Sequence, residues 1–308
     1  MNLNDVTSTV TTRLNSARAY IHEKQQTVNG LPVIQQLKEK VGSFAPVNFS
    51  SSSSQYGNSC ISGTRQSPID LRSAECKFDE SLAQAKLVFN YHPGDCAVLS
   101  NTGLSWQVSA KPGSTSSLRV SFLPDEYRFE QVHAHWGSEA HNGSEHTVSG
   151  LGYAAEIHIV HTNQKYETFQ EALKHPDGLV VLGIFLDEGL HNEVLKPVTE
   201  KLHQVPYKGE EIQLNNFNLK GLIPDLKDFW TYEGSLTTSP SFECVTWIVF
   251  RGSISVSSQQ LDCMRQLYSV PIEDAERNPQ RLLLNVRTTQ PLKERVVRSS
   301  FKVPNQIG

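Results

Sequence analysis

Along residues 1–50 the apolar positions Val6, Val10, Leu14, Ala17 and Ile21 recur at helical spacing, with Thr, Ser and Arg between them. Asn29-Gly30 and Pro32 break that pattern, and Val33 to Val41 resumes it more briefly. The serine run Ser50 to Ser54 then reads as a flexible linker. From about Tyr56 the texture changes. Short β-rich runs at Lys86–Asn90, Leu118–Phe122, Arg128–Trp136, Ala154–His161, Leu179–Leu186 and Glu243–Phe250 are separated by turn signals such as His92-Pro93-Gly94-Asp95. Two helical windows stand out, Thr168–Lys174 and Leu190–His203. Strands outnumber helices and no strand–helix–strand rhythm is present. The pattern predicts a mostly β fold, with a central twisted, predominantly antiparallel sheet and short peripheral helices. It divides the chain into an N-terminal helical extension with its Ser-rich linker (1–50) and one large domain (51–308).

Composition narrows the function. Hydrophobic residues make up 38% and charged residues 19%, enough apolar material for a sizeable core, which excludes disorder throughout. The net charge of −4, from 28 Lys+Arg against 32 Asp+Glu, gives no basic field for phosphates, so no nucleic-acid partner is expected. The apolar run Gly178–Leu186 stops at Asp187, too short to span a bilayer, and no membrane partner is expected. The N-terminus lacks the apolar core of a secretory signal. Arg13 and Arg18 against Asp5 weakly match a mitochondrial presequence, and a solvated helical extension is the preferred reading. The five cysteines (Cys60, Cys76, Cys96, Cys244 and Cys263) are scattered, odd in number and without a C-x-x-C pair. They argue against a disulfide framework or a Cys-based zinc finger.

The 11 histidines carry the chemistry. In the run Gln131-Val132-His133-Ala134-His135-Trp136, strand alternation puts Gln131, His133 and His135 on one face. Further on, Glu156, His158 and Val160 share a face in the same way. An adjacent antiparallel strand can bring His158 beside the first two. Three neutral imidazoles with an open fourth position are the catalytic zinc arrangement, whereas structural sites are closed by four protein ligands. Gln131 and Glu156 lie on the correct faces to hydrogen-bond the second nitrogen of a ligating ring. The plain alternative is a set of core or surface histidines on two strands.

At these residues the chain resembles the α-class carbonic anhydrases. Arg65-Gln66-Ser67-Pro68-Ile69-Asp70, Gln131 to Ser138, Ser144 to Val148, Ala154 to His161, Tyr232 to Thr238, Glu243 to Trp247, Ile254 to Ser258, Asn285-Val286-Arg287 and Gln290 to Lys293 follow the family pattern in order. The resemblance runs from about Tyr56 to Lys302. It implies the α-carbonic anhydrase fold and reversible hydration of carbon dioxide to bicarbonate and a proton, with one Zn2+ per chain on His133, His135 and His158. By the same resemblance Gln131, Glu156 and a backbone carbonyl near Asn285 orient those rings. Thr237 accepts a hydrogen bond from the nucleophile and donates its own to the buried carboxylate of Glu145. Thr238 is a substrate-side hydroxyl, and Val160, Val181, Leu236, Val245 and Trp247 form the apolar wall where carbon dioxide rests. Tyr56, Thr102 and Gln107 belong to the solvent network. Sulfonamides and anions are the expected inhibitors, and a monomer is expected.

The chain also departs from the family. The proton-shuttle histidine that follows a glycine at the channel mouth is replaced by Leu104, which has no titratable group. The resemblance therefore implies an enzyme limited by proton transfer; His141 is a weaker substitute, read first as a solvated loop residue. The segment Asn58–Gly63 is short for the family, and Ser54 stands where a tryptophan precedes the aromatic-glycine pair Tyr56-Gly57. Cys60 lies near one half of the disulfide of secreted members, but the partner position is Ser241. Asn48-Phe49-Ser50 and Asn142-Gly143-Ser144 match glycosylation acceptors, a pattern without meaning outside the secretory route. The expected location is cytoplasmic, with mitochondrial the alternative. Two rival functions stand beside the enzyme: a non-enzymatic carbonic-anhydrase-related binding protein and a zinc esterase. Retention of all three histidines, Thr237 and Glu145 argues against the first.

Overall fold

The β-branched and aromatic runs build a sheet of 13 strands, and a separate two-stranded pairing joins Asp70–Leu71 to Thr147–Val148. The computed structural model describes residues 63–302. The expected N-terminal helices, the serine linker, Tyr56 and Cys60 lie outside those residues. Seven strands position the site: β1 (Cys96–Asn101), β2 (Trp106–Ala110), β3 (Glu126–Trp136), β4 (Ala155–Asn163), β5 (Leu179–Glu188), β6 (Phe229–Gly234) and β7 (Val245–Phe250). Their order across the sheet is β1-β2-β3-β4-β5-β7-β6. Neighbours pair antiparallel except β5 and β7, which run parallel over Leu179–Gly183 and Val245–Val249. A parallel pair needs a long connection, and residues 189–244 supply it. The sheet is thus mixed, with antiparallel pairing predominant.

β4 is buried at every position and β5 from Leu179 to Leu186, because both faces of the sheet centre are covered. One face packs Val132, Ala134 and Trp136 of β3 with Ile157 and Ile159 of β4 in the main core. The opposite face carries Val160, Val181, Val245 and Trp247 in a second cluster. Sequence alternation holds along β4 but not along the whole of β3. The register with β4 shifts between Phe129 and Gln131. This bulge resets the phase, so Phe129 joins the core face although it is two residues from Gln131.

The helical windows shrink. Thr168–Lys174 yields one turn, Phe169–Ala172, capped by the Thr168 hydroxyl. Leu190–His203 resolves into Lys196–Thr199 and a 3-10 turn, Leu202–Gln204. Pro197 sits in the first turn, where its missing N–H costs nothing, and the side chain of Asn192 takes the N–H groups of Val194 and Leu195 upstream. The longest described helix, α1 (Ser258–Arg265), was not anticipated by periodicity. Its signal is the capping box formed by Ser257 and Gln260. No disulfide joins the described cysteines. Burial pushes the thiols of Cys96 and Cys244 up to about 12, which makes them inert. No described helix is long and apolar enough to cross a membrane.

Candidate metal centre

The site is assembled by strand register. Gln107 of β2, His133 of β3 and His158 of β4 lie in one transverse row, so their side chains leave the sheet on the same face. One pleat away, Ser109, Gln131, Val160, Val181 and Trp247 form the next row across β2, β3, β4, β5 and β7. The face is therefore polar at β2 and β3, imidazole-bearing at β3 and β4, and apolar from β4 to β7. The ligand-capable atoms of His133, His135 and His158 lie within 4.8 Å of one another. Their ring centroids are 5.1 Å apart (His133–His135), 5.2 Å (His133–His158) and 4.6 Å (His135–His158).

Each ring has one nitrogen engaged by an acceptor. His133 Nδ1 donates to Gln131 Oε1 at 2.8 Å, His135 Nδ1 to the carbonyl of Asn285 at 2.8 Å, and His158 Nε2 to Glu156 Oε1 at 2.8 Å. A ring that donates through one nitrogen and is neutral has a lone pair on the other. Burial pushes His133 well below the ordinary histidine value, reinforced by His135 and His158; burial likewise lowers His135. The inward nitrogens of His133 and His135 are thus lone-pair donors, and the His158 ring faces both. His135 Nε2 is buried without a hydrogen-bond partner, and so is Glu145 Oε2, 3.4 Å away. Glu145 Oε2 is also 3.9 Å from His158 Nδ1. Two buried acceptors at that spacing repel unless a positive charge lies against them. The donor set fits a divalent cation of the imidazole-preferring class with a coordination position left open.

The sequence matches a known family over most of its length. The sequence model for eukaryotic-type carbonic anhydrase matches residues 50–301. Carbonic anhydrase 3 of Sus scrofa is 43% identical over 242 residues, 78% of this chain and 91% of the relative. Carbonic anhydrase 3 of Rattus norvegicus is 42% identical and that of Bos taurus 41%, over the same lengths. The chain belongs to the eukaryotic-type carbonic anhydrase family. Its reaction class is accordingly the hydration of carbon dioxide.

Seen as a carbonic anhydrase, the site contains partners that the sequence reading did not assign. His146 Nδ1 lies 2.7 Å from Glu156 Oε1, and its Nε2 lies 2.6 Å from the Tyr232 hydroxyl. Tyr232 in turn donates to Ser67 Oγ at 2.9 Å. Glu156 Oε2 accepts the N–H groups of Glu145 and His146 at 2.9 and 2.8 Å. Burial raises the Glu156 carboxyl, but its electrostatic interactions and hydrogen bonds with His146 and His158 outweigh it and hold the group well below the usual carboxylate range. His146, Glu156 and His158 are close enough to suggest a second metal group. Their facing atoms are already spent on one another, so the cluster works as a brace behind His158. Gly183 is opposite His158 in the register, and a Cβ there would come within 3.1 Å of Glu156 Oε1. None of these links has a local sequence signal; His146, Tyr232 and Ser67 come from three distant segments.

The remaining expected residues are placed as follows. Val160, Val181, Leu236, Val245 and Trp247 gather in one apolar cluster. Trp247 commits its indole N–H to the Ser235 carbonyl at 3.1 Å, leaving its ring 4.8 Å from His158. Phe169 and Leu173 extend that cluster and were not anticipated as part of it. Thr237 is buried. The hydrogen bond expected from Thr237 to Glu145 is not formed: Oε2 has no partner, and Oε1 accepts the Arg287 backbone N–H at 2.8 Å. The Thr238 carbonyl accepts the N–H of Ser241 at 2.8 Å, closing a turn in which Ser241 has a φ of 56°. Gln107 donates to Ser109 Oγ at 2.9 Å. The Thr102 hydroxyl, expected in the solvent network, donates to the Ser105 carbonyl and accepts from the N–H groups of Leu104 and Ser105. All three of its hydrogen bonds are thus spent within the turn that carries Leu104.

Proposed function

We propose that this chain hydrates carbon dioxide reversibly with one zinc ion held by His133, His135 and His158. The observation that carries the reading is the convergence of three inward lone pairs, each fixed by a donated hydrogen bond on the far side of its ring. Zinc suits three imidazoles with an open fourth position. When bound, it supplies a hydroxide nucleophile near neutral pH by acidifying water, as is known for carbonic anhydrases in general.

The chain's own residues do the rest. Gln131, the Asn285 carbonyl and Glu156 fix the tautomer and tilt of the ligand rings. The Glu145 carboxylate is anchored through Oε1 by Arg287, which leaves Oε2 to accept a proton-bearing partner. By the family resemblance alone we assign the Thr237 hydroxyl as that partner, although the bond is not formed in this structure; donating there would leave its oxygen to accept a hydrogen bond from the nucleophile and orient it. Thr238 lies on the substrate side. Val160, Val181, Leu236, Val245 and Trp247 offer carbon dioxide a wall without free hydrogen-bonding groups, matched to a small uncharged molecule. Leu104 cannot carry a proton outward, so turnover depends on buffer for proton release. Sulfonamides and anions inhibit by the same open position.

Stopped-flow hydration of carbon dioxide, on purified protein with and without a zinc chelator, tests the reading. Activity is expected to vanish on chelation and return with zinc. Full activity in zinc-free protein would overturn it. Zinc-loaded protein with no activity would favour the non-enzymatic related binding protein instead. The domain division after residue 50, a cytoplasmic location and a monomeric state belong to the same reading. Limited proteolysis, cell fractionation and light scattering test them in turn.

A further inference from the structure

The ligand strand β3 loses its neighbour in the middle of the site. The β2–β3 ladder runs Ser109–Gln131, Val108–Val132, Gln107–His133 and then ends. The backbone between and beyond His133 and His135 therefore needs other partners, since unpaired buried N–H and C=O groups are costly. Two side chains supply them. The hydroxyl of Ser105, itself buried, donates to the Ala134 carbonyl at 2.5 Å and accepts the Ala134 N–H at 3.2 Å. Asn285 Nδ2 donates to the same carbonyl at 3.2 Å, and its Oδ1 accepts the Trp136 N–H at 2.7 Å. Ala134 is the residue between two of the three ligand histidines.

We infer that Ser105 is a positioning residue for the metal centre: its hydroxyl stands in for the missing strand and fixes the spacing of His133 and His135. The inference rests on the zinc reading above. The clamp also reaches the channel mouth. Asn285 Nδ2 donates to the Leu104 carbonyl at 2.8 Å, next to Ser105 in the chain. The turn that presents both is held by Gly103, whose φ of 82° favours glycine and whose N–H donates to Asn101 Oδ1 at 2.8 Å. Ligand spacing and the position of residue 104 thus share one frame.

The test compares Ser105→Ala, Ser105→Thr and a control, Ser117→Ala, which removes a buried hydroxyl bonded to Glu126 in another part of the sheet. Each is prepared with zinc and with cobalt(II). Ser105→Ala is expected to lose zinc to a chelator about three- to tenfold faster than wild type, below the 10–100-fold typical of groups that bond a ligand directly. Its cobalt d–d spectrum is expected to shift. Ser105→Thr keeps the hydroxyl and should restore both readouts, while Ser117→Ala lowers melting temperature without moving either. Wild-type values for Ser105→Ala in both readouts, or an equal shift in Ser117→Ala, would overturn the inference. Ser105→Cys carries the same comparison if Ser105→Ala does not fold. Wild-type protein that takes up no zinc would overturn the metal reading itself, an outcome distinct from the failure of the clamp.

Discussion

His158 and His161 stand three residues apart on β4, both fully buried, on opposite faces of the sheet. His161 is satisfied at both ring nitrogens, with the Tyr91 hydroxyl 2.8 Å from Nε2 and the Val180 carbonyl 3.3 Å from Nδ1. Its ring stacks on Tyr91 with centroids 5.8 Å apart. His158 is engaged at one nitrogen only, and the other faces His133, His135 and Glu145. Burial and residue type are the same in the two cases. The difference is an uncommitted lone pair aimed at other uncommitted acceptors, and this separates a candidate ligand from a core histidine.

The largest effect that could break this comparison is loss of a ligand. Acidifying water from about 15.7 to about 7, the figure known for carbonic anhydrases, corresponds to roughly 12 kcal/mol at ~1.36 kcal/mol per unit, which no side chain in the site could replace. His158→Ala is therefore expected to lose its zinc and more than about a thousandfold in hydration rate, read by metal analysis and stopped flow. His161→Gln should keep both within a few-fold of wild type. Equal losses in the two variants would erase the distinction.

Glu156→Ala comes next. It removes the acceptor that fixes the His158 ring and takes away the partner of His146 Nδ1, while Nε2 keeps the Tyr232 hydroxyl; it should weaken zinc affinity about 10–100-fold. Competition against a chromophoric chelator measures this; an unchanged affinity would show that the brace behind His158 is not needed.

His161 sharpens the comparison through pH. Burial pulls its value from 6.5 down to about 3, so the folded protein resists a proton that the unfolded chain accepts. Below pH 6.5 the unfolded state binds more protons, and stability falls as pH falls, by about 1.4 kcal/mol per unit toward pH 3. Above 6.5 both states are neutral and the contribution vanishes. Urea midpoints from pH 7 to 4 should fall more steeply for wild type than for His161→Gln; parallel slopes would contradict this. The smallest expected effect is a gain. Leu104→His should raise turnover several-fold in weak buffer and little in strong buffer, and equal rates in weak buffer would show that proton transfer does not limit the enzyme.

The gathering of the three histidines was legible because it depends on period-two alternation. Gln131, His133 and His135 share a face for that reason, as do Glu156, His158 and Val160, and one antiparallel pairing brings the sets together. The bulge at Phe129–Gln131 was not legible, since it exists only relative to β4. Nor was the brace of His146, Tyr232 and Ser67, whose members are distant in sequence and meet through the fold. The Ser105 clamp belongs to the same class: it answers a gap in a ladder, and a sequence does not display where a ladder stops. By contrast, Ser257 and Gln260 have capping-box spacing that is readable locally, and α1 was missed because its apolar periodicity is weak.

X-ray absorption at the zinc edge of the wild-type protein tests the central claim most directly. The account predicts one zinc per chain with three imidazole nitrogens at about 2.0–2.1 Å, and one imidazole fewer in His158→Ala with none lost in His161→Gln. A sulfur ligand, a carboxylate in place of an imidazole, or an unchanged shell in His158→Ala would contradict it.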